Sequence, residues 1–197
     1  MLFYVLDKIS SLYTKDNYYK FKNDGKSLYG DAPTCPSCSS VVGKKAWLPP
    51  FKIKLDGSVA GDFCYGATGD QFLISEKFKH ICIACEFKGL DVEDEPVEVK
   101  SKIKAKYFVA KPSYVIVPLL KDNNAVIHKL IGCDKCGVAQ ISSLRGLPMD
   151  LTNWNGEDFF YPSGIYGALV VSERFVKIAK QEELTNLNFI EGDSYAR

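Results

Sequence analysis

Two Cys-x-x-Cys pairs, 98 positions apart, constrain the fold of this 197-residue chain more than any other feature. Cys35-Pro-Ser-Cys38 is the first pair, and Cys133-Asp-Lys-Cys136, followed by Gly137, is the second. Two thiolates separated by two residues can bind one ion, and zinc takes four such ligands in a tetrahedral array. The pairs therefore predict one structural zinc site with four cysteine ligands, shared by both parts of the chain.

Three alternatives remain open for these cysteines: iron instead of zinc, reduced thiols without metal, and a thioredoxin-like redox motif. A redox motif needs a single Cys-x-x-Cys at a helix start. The N-terminus lacks a basic region and a small-residue cleavage site, so we expect no export signal and a reducing, cytoplasmic environment. Paired cysteines in that environment indicate metal binding rather than a disulfide framework.

A third Cys-x-x-Cys, Cys82 and Cys85, has His80 beside it and Cys64 upstream. A second metal site from these four residues is conceivable. However, Cys82 and Cys85 fall with Phe78 on the apolar stripe of a predicted helix. Buried free thiols therefore explain these cysteines more simply than a second metal site does.

The spacing of the cysteine pairs recurs in other motifs, which indicates an internal repeat. Residues 70–78 read Asp-Gln-Phe-Leu-Ile-Ser-Glu-Lys-Phe, and residues 167–175 read Gly-Ala-Leu-Val-Val-Ser-Glu-Arg-Phe, an offset of 97. Upstream, Asp62 and the phenylalanine after it match Asp158 and its phenylalanine at an offset of 96. The ordered set predicts a tandem duplication, and chance similarity of two strand–helix units is the alternative.

The repeat predicts an α+β protein with two similar lobes, residues 1–98 and 99–197, joined at the zinc site in one compact unit. In each half a buried strand leads into a helix. Ser75 or Ser172 precedes that helix, where its hydroxyl can accept a hydrogen bond from a backbone N–H of the first turn. Cysteine pairs at equivalent positions would then face each other across a pseudo-twofold axis.

Other segments predict strands and a loop. Residues 51–55 alternate with period two, as a half-buried strand does. The apolar run at residues 114–120 predicts a central strand, and a short strand is expected at residues 187–190. Residues 91–98 carry five acidic side chains and a proline, which predicts an exposed loop.

Charge and motif content argue against several function classes. Lys and Arg number 25 and Asp and Glu 24, a net charge of +1. This balance disfavours a nucleic-acid or anionic-membrane binder that works through bulk charge. No stretch is apolar and long enough to span a bilayer. Phosphate-binding loops, His-Glu-x-x-His and nucleophile elbows are absent, so we expect a protein that is not an enzyme.

The cysteine motifs and the C-terminal segment together resemble the double Cys-x-x-Cys-Gly (CXXCG) motif family of immunity proteins. The matching segments are Cys35 to Cys38, Cys133 to Gly137, Val171 to Phe175, and Asn188-Phe189. Ser39 replaces the first glycine of the pattern, and residues 86–130 match nothing in it. The resemblance implies a bacterial immunity protein that neutralises a cognate protein toxin of a contact-dependent competition system by direct binding.

A zinc-ribbon adaptor that binds nucleic acid is the alternative function. Such an adaptor would need a basic surface around the cysteine pairs. Lys44, Lys45 and Lys135 lie near the pairs in sequence, but Asp31 and Asp134 offset their charge. Nucleic acid is therefore the less expected partner.

Overall fold

The computed structural model describes residues 2–7, 17–66, 70–100, 105–120, 126–165 and 167–196, with the backbone only at 126–130. These residues form fifteen β-strands and two α-helices. The chain combines helices with strands, so the predicted α+β class is confirmed, with sheet predominating.

Eight strands form a central sheet that draws on both ends of the chain. In spatial order the sheet runs β15 (Phe189–Glu191), β1 (Phe3–Leu6), β14 (Val170–Ser172), β13 (Phe159–Pro162), β10 (Tyr107–Val115), β7 (Phe72–Ser75) and β6 (Phe63–Cys64), and β8 (Leu90–Val92) also pairs with β10. Strand β10 is parallel to β13 and antiparallel to β7 and β8. Strand β1 is antiparallel to both of its neighbours.

Three smaller sheets lie outside the central one. They are β2–β5–β9 (Lys20–Asn23, Lys52–Asp56 and Glu98–Val99), β3–β4 (Leu28–Tyr29 and Trp47–Leu48) and β11–β12 (Val126–Leu130 and Ala139–Ser143). The strand predicted at residues 51–55 is thus confirmed as β5. The predicted boundary between residues 98 and 99 falls inside β9, and the division into halves stays a prediction.

Two predicted segments differ from the structure. The ends of the predicted loop at residues 91–98 belong to β8 and β9. The segment between them is also held to the sheet, since Val97 is buried and its N–H donates to the carbonyl of Tyr107 at 2.8 Å. The predicted strand at residues 114–120 ends at Val115, although Val117 beyond it is fully buried. Pro118 has no N–H to donate to a strand ladder.

The helices α1 (Glu76–Ala84) and α2 (Glu173–Gln181) begin in the same way. The hydroxyl oxygens of Ser75 and Ser172 each accept a hydrogen bond, at 3.1 Å, from the backbone N–H three residues further on. Both predicted helix starts are therefore confirmed. The serine satisfies one of the backbone donors that a helix start leaves without an intrahelical partner.

Two aspartates connect the helices. Each aspartate joins the start of one helix to the loop that follows the other helix. Oδ1 of Asp62 accepts from the capping serine of α1 at 2.6 Å, and its Oδ2 accepts from the N–H of Thr185, beyond α2, at 2.9 Å. Oδ1 of Asp158 accepts from the capping serine of α2 at 2.6 Å, and its Oδ2 accepts from the N–H of Lys88, beyond α1, at 3.0 Å. The contacts are therefore reciprocal.

The helices meet through aromatic side chains. The rings of Phe78 in α1 and Phe175 in α2 stack with centroids 5.5 Å apart and planes 8° apart, and both side chains are fully buried. Phe159 packs within 4.4 Å of Phe175, measured between centroids. This aromatic cluster fixes both helices on one face of the central sheet.

Candidate metal centre

Each cysteine pair lies in a tight turn between two antiparallel segments. In the first turn the N–H of Cys35 donates to the carbonyl of Ser40 at 2.8 Å, and the N–H of Ser39 donates to the carbonyl of Cys35 at 2.8 Å. In the second turn, between β11 and β12, the N–H of Gly137 donates to the carbonyl of Cys133 at 2.9 Å. We call these segments, residues 34–41 and 131–138, the first and second cysteine hairpins.

The structure brings the four predicted ligands together. The Sγ atoms of Cys35 and Cys133 are 3.9 Å apart, and those of Cys38 and Cys136 are 3.8 Å apart. All four sulfurs lie within 4.8 Å of one another. Zn–S bonds of about 2.3 Å in a tetrahedron place neighbouring sulfurs about 3.8 Å apart. The cluster can therefore hold one metal ion.

The four thiols differ in how deeply they are buried. Cys35 and Cys136 are buried, Cys133 is half-buried and Cys38 is exposed. A small apolar cluster that includes Val42 surrounds the buried pair. One side of a bound ion would therefore face the protein interior and the other side would lie near solvent.

The local environment shifts the pKa values of two thiols in opposite directions. Hydrogen bonding with the side chain and backbone of Ser40 lowers the pKa of Cys38 to about 6. Burial raises the pKa of Cys136 to about 11. Metal ligation requires thiolates, so an ion must displace the proton of Cys136 when it binds, and binding should weaken as the pH falls. The role of Ser40 was not predicted, although a hydroxyl just beyond a Cys-x-x-Cys is a signal that could suggest it.

The remaining cysteines do not form a second centre. The buried thiol of Cys64 donates to the carbonyl of Tyr19 at 3.0 Å, whereas Cys82 is part of α1 and belongs to a different apolar cluster. Burial raises the pKa of Cys82 to about 12, and burial also raises the pKa of Cys64. In the described part of the chain, the four-cysteine cluster is the one group of three or more potential ligands close enough to share an ion.

An open groove of about 790 Å³ runs beside both hairpins. Its lining includes Cys35 from the first hairpin and Asp134 and Lys135 from the second. Asp150 and Glu157 also line the groove. The groove therefore carries three carboxylates and one ammonium group.

Comparison with known proteins leaves the family open, since no family model and no curated protein matches the chain. Neither described helix has the length and apolar character needed to cross a membrane. The cluster of four thiols is thus the functional feature on which a proposal can be built.

Proposed function

We propose that Cys35, Cys38, Cys133 and Cys136 hold one zinc ion in a structural role. Three separations between sulfurs, of 3.8–3.9 Å, match the edges of a zinc–thiolate tetrahedron and carry this proposal. Four thiolates would fill the coordination shell and leave no position for water or substrate. Closed shells of this kind stabilise folds, whereas catalytic zinc keeps an open position.

Elemental analysis of protein purified without added metal tests this proposal, and we expect about one zinc per chain. Cys133→Ser should lower both the zinc content and the thermal stability. Cys85→Ser, which alters a thiol outside the cluster, should leave the zinc content unchanged. Iron in place of zinc would contradict the metal identity, and full zinc content in Cys133→Ser would contradict the shared site.

We propose further that the two halves arose by tandem duplication. Residues at matching positions face each other in two places: Cys35 lies beside Cys133, and Phe78 stacks on Phe175. Contacts between equivalent residues are what a twofold axis produces. A pseudo-twofold axis through the cysteine cluster and the stacked rings accounts for both contacts and for the reciprocal aspartates.

The strand registers support the same axis and add an exchange of strands between two units. We call β6–β7–α1–β8 the N-terminal unit and β13–β14–α2–β15 the C-terminal unit. In the C-terminal unit β1 pairs with β14, with Phe3 opposite Ser172. In the N-terminal unit β10 pairs with β7, with Tyr107 opposite Ser75. On this proposal, each half supplies its first described strand to the other half. An experimental structure in which β6–β7–α1–β8 fails to superpose on β13–β14–α2–β15 would contradict the duplication.

For the activity of the protein, the proposal is direct binding of a cognate protein toxin, as the resemblance to the immunity proteins implies. A closed metal shell suits a binding protein better than an enzyme. A nucleic-acid adaptor has less support, because the groove beside the hairpins carries more carboxylates, Asp134, Asp150 and Glu157, than ammonium groups.

Co-expression with the product of a neighbouring toxin gene tests this activity. We expect growth to be rescued and a stable one-to-one complex to be recovered by size-exclusion chromatography. Cys85→Ser serves as a matched control that should rescue as well as the unaltered chain does. Rescue without a detectable complex, or turnover of a small substrate by the purified chain, would contradict the proposal.

A further inference from the structure

The second cysteine hairpin is held by one buried hydroxyl group. Ser163 follows β13 directly and is only 4% exposed. Its hydroxyl donates to the carbonyl of Cys136 at 2.5 Å and accepts from the N–H of Val117 at 3.1 Å. Next to Cys136, a Cβ on Gly137 would lie 2.5 Å from the Cβ of Pro118, so the hairpin is seated closely on this segment.

The first cysteine hairpin is held by a second hydroxyl group, that of Tyr114 in β10. This hydroxyl donates to Oδ2 of the buried Asp70 at 2.7 Å and accepts from the N–H of Lys44 at 3.0 Å. The ring of Tyr114 occupies the space where a side chain at Gly43 would begin, 2.0 Å from an added Cβ. The chain that leaves the first hairpin is therefore fixed on the tyrosine.

Both hydroxyl groups come from one rigid part of the fold. Strands β10 and β13 are parallel neighbours in the central sheet, with Tyr114 opposite Tyr161. The two tyrosine rings stack with centroids 5.3 Å apart, and Ser163 lies two residues beyond Tyr161. The sheet therefore sets the position of each hairpin relative to the other.

We propose that Ser163 and Tyr114 are positioning residues that place the four thiols for metal binding, with the β10–β13 pair as their common platform. A site whose ligands are held near their bound geometry binds its ion more tightly than a loose one. Neither residue is one of the four proposed ligands, and each acts through its hairpin. The inference rests on the metal centre proposed above.

The test compares zinc affinity in two variants that each lose one hydroxyl, Ser163→Ala and Tyr114→Phe. Groups that orient metal ligands typically change affinity by about 10–100-fold when removed, and we expect an increase in Kd of this size. Competition with a chromophoric chelator measures Kd at a temperature where every variant is folded. Hydrogen exchange of Val117 and Lys44, whose N–H groups bond the two hydroxyls, should rise in the respective variants.

Two matched controls remove buried hydroxyls that do not contact the hairpins. Tyr107→Phe removes an O–H that donates to the carbonyl of Gly61 at 3.0 Å, and Ser172→Ala removes the cap of α2. Both should lose stability yet keep the original Kd. Cobalt-loaded protein gives a second readout, since the thiolate absorption bands should change in the two positioning variants only.

The possible outcomes separate the inference from the metal centre on which it rests. An unchanged Kd in Ser163→Ala and Tyr114→Phe overturns the positioning role. An equal loss of affinity in the two controls overturns it as well, because general stability would then set the affinity. If the unaltered chain binds neither zinc nor cobalt, the metal centre itself fails and the inference falls with it.

Discussion

At the scale of single residues, the two cysteine turns have different residues after the second cysteine and yet share one backbone conformation there. Ser39 has a φ of 58° and Gly137, its counterpart, has a φ of 62°. Each N–H donates to the carbonyl of the first cysteine of its own pair. Left-handed backbone suits glycine and strains a residue that carries a Cβ. Serine in place of glycine at position 39 is therefore a local energetic cost and does not produce a different turn.

Ser39→Gly should raise the free energy of unfolding by about 1 kcal/mol, because glycine relieves the left-handed strain. Urea denaturation measures the change. Gly137→Ala is the matched control and should lower the stability, since its Cβ would lie 2.5 Å from the Cβ of Pro118. A fall in the stability of Ser39→Gly at unchanged zinc content would contradict the expectation.

At the scale of elements, local sequence predicts the helix starts and fails on the strand pairing. Ser75 and Ser172 could be identified because a cap is read within four residues. The pairing of β1 with β14 places Phe3 opposite Ser172, 169 positions further along the chain, and a contact between residues so far apart leaves no local pattern. The same contrast holds at the metal centre. Ligand chemistry and spacing identify the cysteines, whereas Ser163 and Tyr114 act only because distant strands bring them to the hairpins.

Removal of either helix cap should lower the free energy of unfolding by about 1 kcal/mol. The loss should be larger for Ser172→Ala than for Ser75→Ala, because Ser172 is buried and its hydroxyl also bonds the buried Asp158. Ser194→Ala, at an exposed serine, is the control. Thermal denaturation provides the comparison, and equal stability of all three variants would count against the caps.

Asp158, which joins the start of α2 to the loop after α1, should make the stability of the fold depend on pH. Burial alone would raise the pKa of Asp158, but hydrogen bonds from Arg174, Ser172 and the N–H of Lys88 outweigh burial and hold the pKa below its usual value. A folded-state pKa below the unfolded value of about 3.9 means that the carboxylate stabilises the fold above that pH. This stabilisation is lost as the pH falls through the folded-state pKa.

Asp158→Asn should therefore be least stable, relative to the unaltered chain, near neutral pH. The difference in the free energy of unfolding should shrink below about pH 4, where the carboxylate of the unfolded chain becomes protonated. Urea denaturation of both proteins at a series of pH values gives this difference. Effects of acid on the metal centre are common to both proteins and cancel. A difference that is constant with pH would exclude the charge of Asp158 as its source.

At the scale of the whole molecule, more than the cysteine cluster joins the N-terminal and C-terminal parts of the chain. The central sheet is continuous from β15 to β6 and takes strands from both the N-terminal and the C-terminal parts of the chain. The apolar cluster at the metal centre is small and contains three buried residues, Cys35, Val42 and Cys136. The clusters around the central sheet are much larger. The hairpins would therefore depend on a bound ion far more than the sheet would.

Removal of the metal with a chelator should consequently loosen the two hairpins and leave the central sheet folded. Metal binding free energy contributes to folding free energy, so the thermal midpoint should fall by about 10 °C or more. Hydrogen exchange measured by mass spectrometry should rise in residues 34–41 and 131–138 while β7, β10 and β13 stay protected. Cys133→Ser should reproduce this pattern and Cys85→Ser should not. Complete unfolding on chelation would mean that the sheet cannot persist without the ion, and an unchanged midpoint would mean that the ion has no structural role.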